Sequence, residues 1–236
     1  MTNPLRDYNN RRRYWELKNR RLDEHERIVE RALVKYLKEQ KERVLNAMPK
    51  KGLADEVFNK ENEARLAAVI LFPTLKRVME EEGQEVAGRF DIPFTFTSEM
   101  EAWLNDRTEV FTQTINETTY DQIKTELVAG VEAGETYGQM SDRISDKYDQ
   151  ISTGRAKTIA VTETHAAQQK SNYEGYRQSG TPIKIWVAVM DGNTRDIHAM
   201  VDGQEVPFDR PFSNGLMFPG DPSGSARNVI NCRCQI

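Results

Sequence analysis

The chain has 236 residues, 38% of them hydrophobic, and a formal net charge of −4, enough to bury a real core in one or two domains and not a global signature of nucleic-acid binding. No apolar run approaches the length of a membrane span, and Met1-Thr-Asn-Pro lacks the charged and apolar blocks of a secretory leader. Two cysteines do not make a disulfide framework, so a reducing compartment such as the cytosol is expected.

The first third reads as helix. Between Arg11 and Val44 there is neither Gly nor Pro, and Trp15, Leu22, Val29, Ala32, Leu33, Tyr36, Leu37 and Val44 recur at roughly helical spacing among charges. The helix starts basic: Arg11, Arg12, Arg13, Lys18, Arg20 and Arg21 stand against the single acid Glu16. Three readings fit these cations: a solvated face, a contact with an acidic protein, or a non-specific contact with the DNA backbone. Met48-Pro-Lys-Lys-Gly52 is expected to break the helix. A second helical pattern from Ala64 to Val86 contains Pro73, which should kink or divide it. Asp91 to Thr97 reads as a linker.

Ser98 with Glu101 has the form of a capping box ahead of a helix running to about Asn116, and Thr119 with Gln122 repeats the device. A further short helix is expected from Thr136 to about Tyr148. The helix from about Gly154 to Gln178 places Ile159, Ala160, Glu163, Ala166, Ala167 and Tyr173 on one face, which points Glu163 inward. An inward carboxylate requires a cation, a metal or hydrogen-bond donors, unless it lies at the rim of the stripe and reaches water. His165 falls on another side and reads as surface or structural.

After Gly180-Thr-Pro182 the period changes to two: Ile183 to Met190 is apolar on both faces, as in a central strand. Asp191-Gly192 ends it in a turn, and a short helix from about Thr194 to Val201 would set Arg195, His198 and Asp202 on one side. Gln204 to Phe208, Leu216 to Phe218 and Val229 to Ile236 supply further short strands. The fold class expected is α+β: an extended helical N-terminal half, residues 1–117, for partner contact, then a compact domain, residues 118–236, of helices on a small, mainly antiparallel sheet.

In an extended Asn231-Cys-Arg-Cys234 both thiols project to the same side, at a spacing that disfavours a disulfide between them. They are either buried small hydrophobes or, with His198 and an acid such as Asp191, ligands of a zinc ion; redox or catalytic chemistry is a third reading. Glu163, Arg195, Asp202 and Arg233 would form a polar cluster around them. An enzyme of another class would use the same residues: a cysteine hydrolase with Cys232, His198 and Asp191, or a metal-dependent nuclease or transferase.

Ile159-Ala-Val-Thr-Glu-Thr164, Gly180, Trp186, Asp191-x-x-Thr-Arg195-x-x-His198, Asp202-Gly-Gln-x-Val-Pro207, Phe212, Pro219-Gly-Asp-Pro-Ser223 and Ile230-Asn-Cys-Arg-Cys234 resemble, in order and spacing, the Mu F-type head morphogenesis domain of tailed bacteriophages. Val161 and Asn193 stand where that family usually has Arg. The resemblance implies a non-enzymatic minor capsid protein that associates with the portal and other head proteins, acts in head assembly and DNA packaging or delivery, and ends inside the virion head near the portal after assembly in the host cytoplasm.

Overall fold

The computed structural model describes residues 4–51 and 54–236, without the side chains of residues 49–51, 55, 56 and 153. A 3-10 turn, Pro4–Arg6, leads into α1 (Tyr8–Lys51), α2 (Ala54–Val57), α3 (Lys60–Gly88), α4 (Ser98–Glu132), α5 (Tyr137–Gln178), β1 (Ile183–Ile185), α6 (Asp196–Ala199), β2 (Glu205–Pro207) and α7 (Ala226–Val229). Long helices and a two-stranded antiparallel sheet make this an α+β chain, as the sequence implies.

The helices are longer and fewer than their sequence punctuation suggests. α1 continues through Lys51, with Val44 and Met48 buried in its last turns, and Gly52 of the expected break lies outside the described residues. α3 runs unbroken past Pro73. Proline frees the carbonyl four residues back, but Val69 and Pro73 both lie on the exposed face, where water satisfies that carbonyl. α4 starts one residue earlier than expected: the hydroxyl of Thr97, not Ser98, accepts the Met100 N–H at 3.2 Å. Thr119 starts no new helix, because its hydroxyl donates back to the Ile115 carbonyl at 2.8 Å inside α4. The two helices expected between Thr136 and Gln178 are one, with Gly154 exposed in its interior and Ile151 and Ala156 buried on either side.

Two compact units result, each built from separated segments. The first comprises Met1–Arg27, Leu75–Met100 and Ala160–Ile236; the second, Ile28–Thr74 and Glu101–Ile159. Residues 117 and 118, the expected boundary, are consecutive inside α4.

In the second unit Val44, Phe58, Ile123, Ile144 and Tyr148 form the apolar core. Beside it, the Tyr36 hydroxyl donates to Asn116 Oδ1 at 2.7 Å, and Arg43 makes a forked ion pair with Glu63 at 2.7 and 2.8 Å. In the first unit Trp186, Phe212, Leu216, Phe218, Cys232, Cys234 and Ile236 pack together.

β1 pairs antiparallel with β2 in the register Ile183 to Pro207, Lys184 to Val206 and Ile185 to Glu205. The strand expected to reach Met190 is buried from Lys184 to Ala188 but loses its β2 partner after Ile185. Val187 instead exchanges two backbone hydrogen bonds with Gln235, both 2.8 Å. Leu216 to Phe218 and Val229 to Ile236 are not strands. Side chains take the ladder's place: Asn214 Oδ1 accepts the Leu216 N–H at 3.2 Å, and Asp221 Oδ2 accepts the Met217 N–H at 2.9 Å.

Candidate metal centre

Three side chains meet in the first unit. His198 sits in α6, and Cys232 and Cys234 follow α7; all three are buried. His198 Nδ1 lies 3.7 Å from Cys232 Sγ and 3.5 Å from Cys234 Sγ, and the three ligand atoms all fall within 4.8 Å of one another. The Cys-Arg-Cys segment is not an extended strand. Asn231 has φ of 54°, and the Cys232 N–H turns back to the Val229 carbonyl at 3.2 Å, yet both sulfurs still face the imidazole.

The backbone carrying the cysteines is held from several sides. Thr162 Oγ1 accepts the Asn231 N–H at 3.2 Å, and His165 Nε2 lies 2.7 Å from the Cys234 carbonyl. Gln169 receives the Ile236 N–H at 3.2 Å, and Arg195 donates to the Ile230 carbonyl. α1 grips the same segment: Trp15 Nε1 donates to the Arg233 carbonyl at 2.8 Å, and the Tyr14 hydroxyl donates to the Ile236 carbonyl at 2.6 Å.

The hydrogen bond from the Cys234 thiol, with His165 and His198 close by, holds the Cys232 thiol well below its ordinary range. The same bond, added to burial, pushes Cys234 well above it. Burial lowers His165, which keeps that imidazole neutral.

The other expected site residues separate into distinct roles. Asp191 lines a cavity of about 240 Å³ beside the cysteines, with Thr194, Arg195 and Asn231, but it is not part of the three-atom cluster. Its Oδ1 accepts the Asn193 N–H at 2.9 Å and the Thr194 hydroxyl at 3.1 Å, a turn closed by its own carboxylate. Arg195 lines the same cavity. Asp202 supports the neighbouring backbone instead, accepting the Ala188 N–H at 2.9 Å. Arg233 turns away from the sulfurs to Asn19, Asp23 and Glu26 of α1, at 2.9, 3.1 and 2.9 Å. Glu163 is buried on α5, as its helical face predicts.

The basic start of α1 needs correction as a contact surface. Lys18 is fully buried, bonded to Glu82, Glu85 and Asn172; Arg11 pairs with Asp202 and Arg21 with Glu82. Lys18 and Arg11 are internal because segments 75–100 and 160–236 pack on this part of α1, whereas Arg21 is half-buried, its side chain 37% exposed. Arg12, Arg13 and Arg20 remain exposed.

His165 is the residue whose part the sequence hides. α5 is buried on every side from Thr162 to Gln169, so a position off the apolar stripe is as deep as one on it. Small and polar residues in Thr-Glu-Thr-His-Ala-Ala-Gln-Gln are the available signal. Pro219-Gly-Asp packs on the same imidazole: a Cβ on Gly220 would meet His165 Nδ1 at 2.9 Å, and φ there is 77°.

The sequence model of the family described as Phage Mu protein F like protein matches residues 121–236. The Bacillus subtilis (strain 168) protein YqbB is 26% identical, over 87% of this chain and 75% of its own length. The minor head protein GP7 of Bacillus phage SPP1 is 29% identical over 47% of this chain and 37% of its own. A protein of Enterococcus faecalis (strain ATCC 700802 / V583) named NAD(+)--arginine ADP-ribosyltransferase EFV is 32% identical, over 46% of this chain but 23% of its own length. The chain therefore spans three quarters of the first of these relatives and well under half of the other two. No solved structure matches the chain.

Proposed function

We propose, from the premise that the C-terminal half of the chain belongs to the phage Mu protein F-like family, that this protein is a minor head protein of a tailed bacteriophage, associated with the portal during head morphogenesis and DNA packaging or delivery. The family match over residues 121–236 carries this reading, and the relative named as a minor head protein supports it. Its place would be the interior of the virion head near the portal, reached from the host cytoplasm. No helix among the described residues is long and apolar enough to cross a membrane.

The exposed cations Arg12, Arg13 and Arg20 are the surface left for an acidic partner, the portal or another head protein, or for a non-specific contact with DNA. Co-expression with the portal tests the reading: wild-type chain co-purifies with it, and the triple variant Arg12→Glu, Arg13→Glu, Arg20→Glu does so less while keeping its thermal stability. Absence of the wild-type chain from both procapsids and purified portal would sink the proposal.

An enzymatic reading draws on the relative named as an ADP-ribosyltransferase, of which the chain spans less than a quarter. Burial counts against a cysteine hydrolase, since Cys232 is 1% exposed and Asp191 is engaged in its own turn rather than by His198.

A further inference from the structure

We propose that His198 Nδ1, Cys232 Sγ and Cys234 Sγ bind one zinc-type divalent ion, with the fourth coordination position open to the cavity beside Asp191 and Arg195. The separations carry the argument. A tetrahedral zinc with Zn–S of about 2.3 Å and Zn–N of about 2.0 Å sets nitrogen and sulfur about 3.5 Å apart. The two distances here, 3.7 and 3.5 Å, lie within about 0.2 Å of that value. An ion enters this arrangement without moving a helix.

Apolar packing accounts for two buried thiols but gives no reason for a buried imidazole to aim one ring nitrogen between them. Two sulfurs and a nitrogen form the donor set that selects zinc over magnesium or calcium, which require oxygen ligands. The site is also held ready. Thr162, His165, Gln169 and Arg195 fix the main chain at Asn231, Cys234, Ile236 and Ile230, so the thiols keep their spacing through bonds that are not their own.

Among the described residues no fourth His, Cys, Asp or Glu joins the cluster. The cavity beside it, about 240 Å³, holds several waters at roughly 30 Å³ each, so a water or a small anion completes the coordination. The ion would tie α6 to the segment after α7, two pieces that share no strand pairing.

The full chain, purified without chelator, is assayed for metal by mass spectrometry and titrated with Co²⁺ after metal removal. The expected results are one zinc per chain, thiolate-to-cobalt charge transfer with the visible bands of a tetrahedral site, and protection of both thiols from a disulfide reagent that a chelator removes. Cys232→Ser and His198→Gln lose the cobalt spectrum, and Asp191→Asn keeps it. The proposal is overturned if wild-type chain binds neither ion, if its thiols react equally with and without zinc, or if Asp191→Asn abolishes the spectrum. The wild-type chelator experiment stands even where a variant fails to fold.

Discussion

Arg11 and Asp202, 191 positions apart, form a largely buried ion pair in which Arg11 Nη2 and Nε reach the same oxygen, Oδ2, at 2.9 and 3.2 Å. The other oxygen accepts the Ala188 N–H at 2.9 Å, so one carboxylate fixes both the start of α1 and the segment after β1. Asp202→Ala is expected to cost about 3 kcal/mol, because it strands a cation and a buried N–H together. Arg11→Ala should cost less, since Asp202 keeps its backbone donor. Urea denaturation of the two variants decides it; equal losses would show that the Ala188 bond contributes nothing.

The six cations at the start of α1 should divide by burial in a mutational scan. Lys18→Met leaves Glu82 and Glu85 without their ammonium partner and is expected to cost about 3 to 5 kcal/mol, whereas Arg12→Ala, Arg13→Ala and Arg20→Ala each stay within about 0.5 kcal/mol. Burial alone would raise Glu85, but the Lys18 charge and hydrogen bond, with Arg89, hold it below the ordinary carboxylate range. A carboxylate depressed in the folded state stabilises above its unfolded pKa of about 4.3 and loses that contribution as pH falls through the folded value. The acid limb of the stability curve should therefore be shallower in Lys18→Met than in wild type.

Lys184 offers a pH test of opposite sense. Its ammonium lies 5.1 to 5.5 Å from the ring centroids of Tyr173, Phe208 and Phe212, with no hydrogen-bond partner among the described residues, and burial lowers its pKa to about 8. Below pH 8 both folded and unfolded chains carry the charge, and the folded state bears the full cost of burying it. Between 8 and about 10.4 only the unfolded chain keeps the proton, so stability rises with pH. Lys184→Met should stabilise the protein by about 1 to 3 kcal/mol at pH 7, and the gain should shrink by pH 10. Guanidinium melts at the two pH values measure it, and a gain independent of pH would refute the assignment.

Removal of Ile230–Ile236 should unfold the first unit rather than trim it. The deletion takes Cys232, Cys234 and Ile236 from the core, together with both Val187 to Gln235 hydrogen bonds and the carbonyls held by Trp15, Tyr14 and His165. Loss of near-ultraviolet circular dichroism and protease resistance over residues 160–229 is the expected outcome; an unchanged thermal midpoint would contradict it.

The inward faces of the helices were legible because apolar spacing of three and four survives any tertiary arrangement: Leu22, Val29, Leu33, Tyr36, Leu37 and Val44 are all buried. The merging of helices was not, because Thr119 and Gly154 are boundary residues by local preference and are overruled by packing on the turns around them. His198, Cys232 and Cys234 could be grouped from residue type, but the position of Asp191 outside the cluster goes with a local turn in which Asn193 and Thr194 both donate to its Oδ1. Charge was the least informative signal. Nothing local to Lys18 shows that Glu82, Glu85 and Asn172, 64 to 154 positions away, enclose it.

Trp186 is wholly buried, and its ring meets the His198 imidazole in a T-shaped contact, centroids 5.4 Å apart. An indole touching a candidate metal ligand is a chromophore placed where ligation is read, because its emission depends on what lies against the ring. Trp15 is hydrogen-bonded to the Arg233 carbonyl, and Trp103 lies in the second unit. The native protein thus carries its own optical probe at position 186, and single-tryptophan variants retaining it would follow the state of His198 without any label.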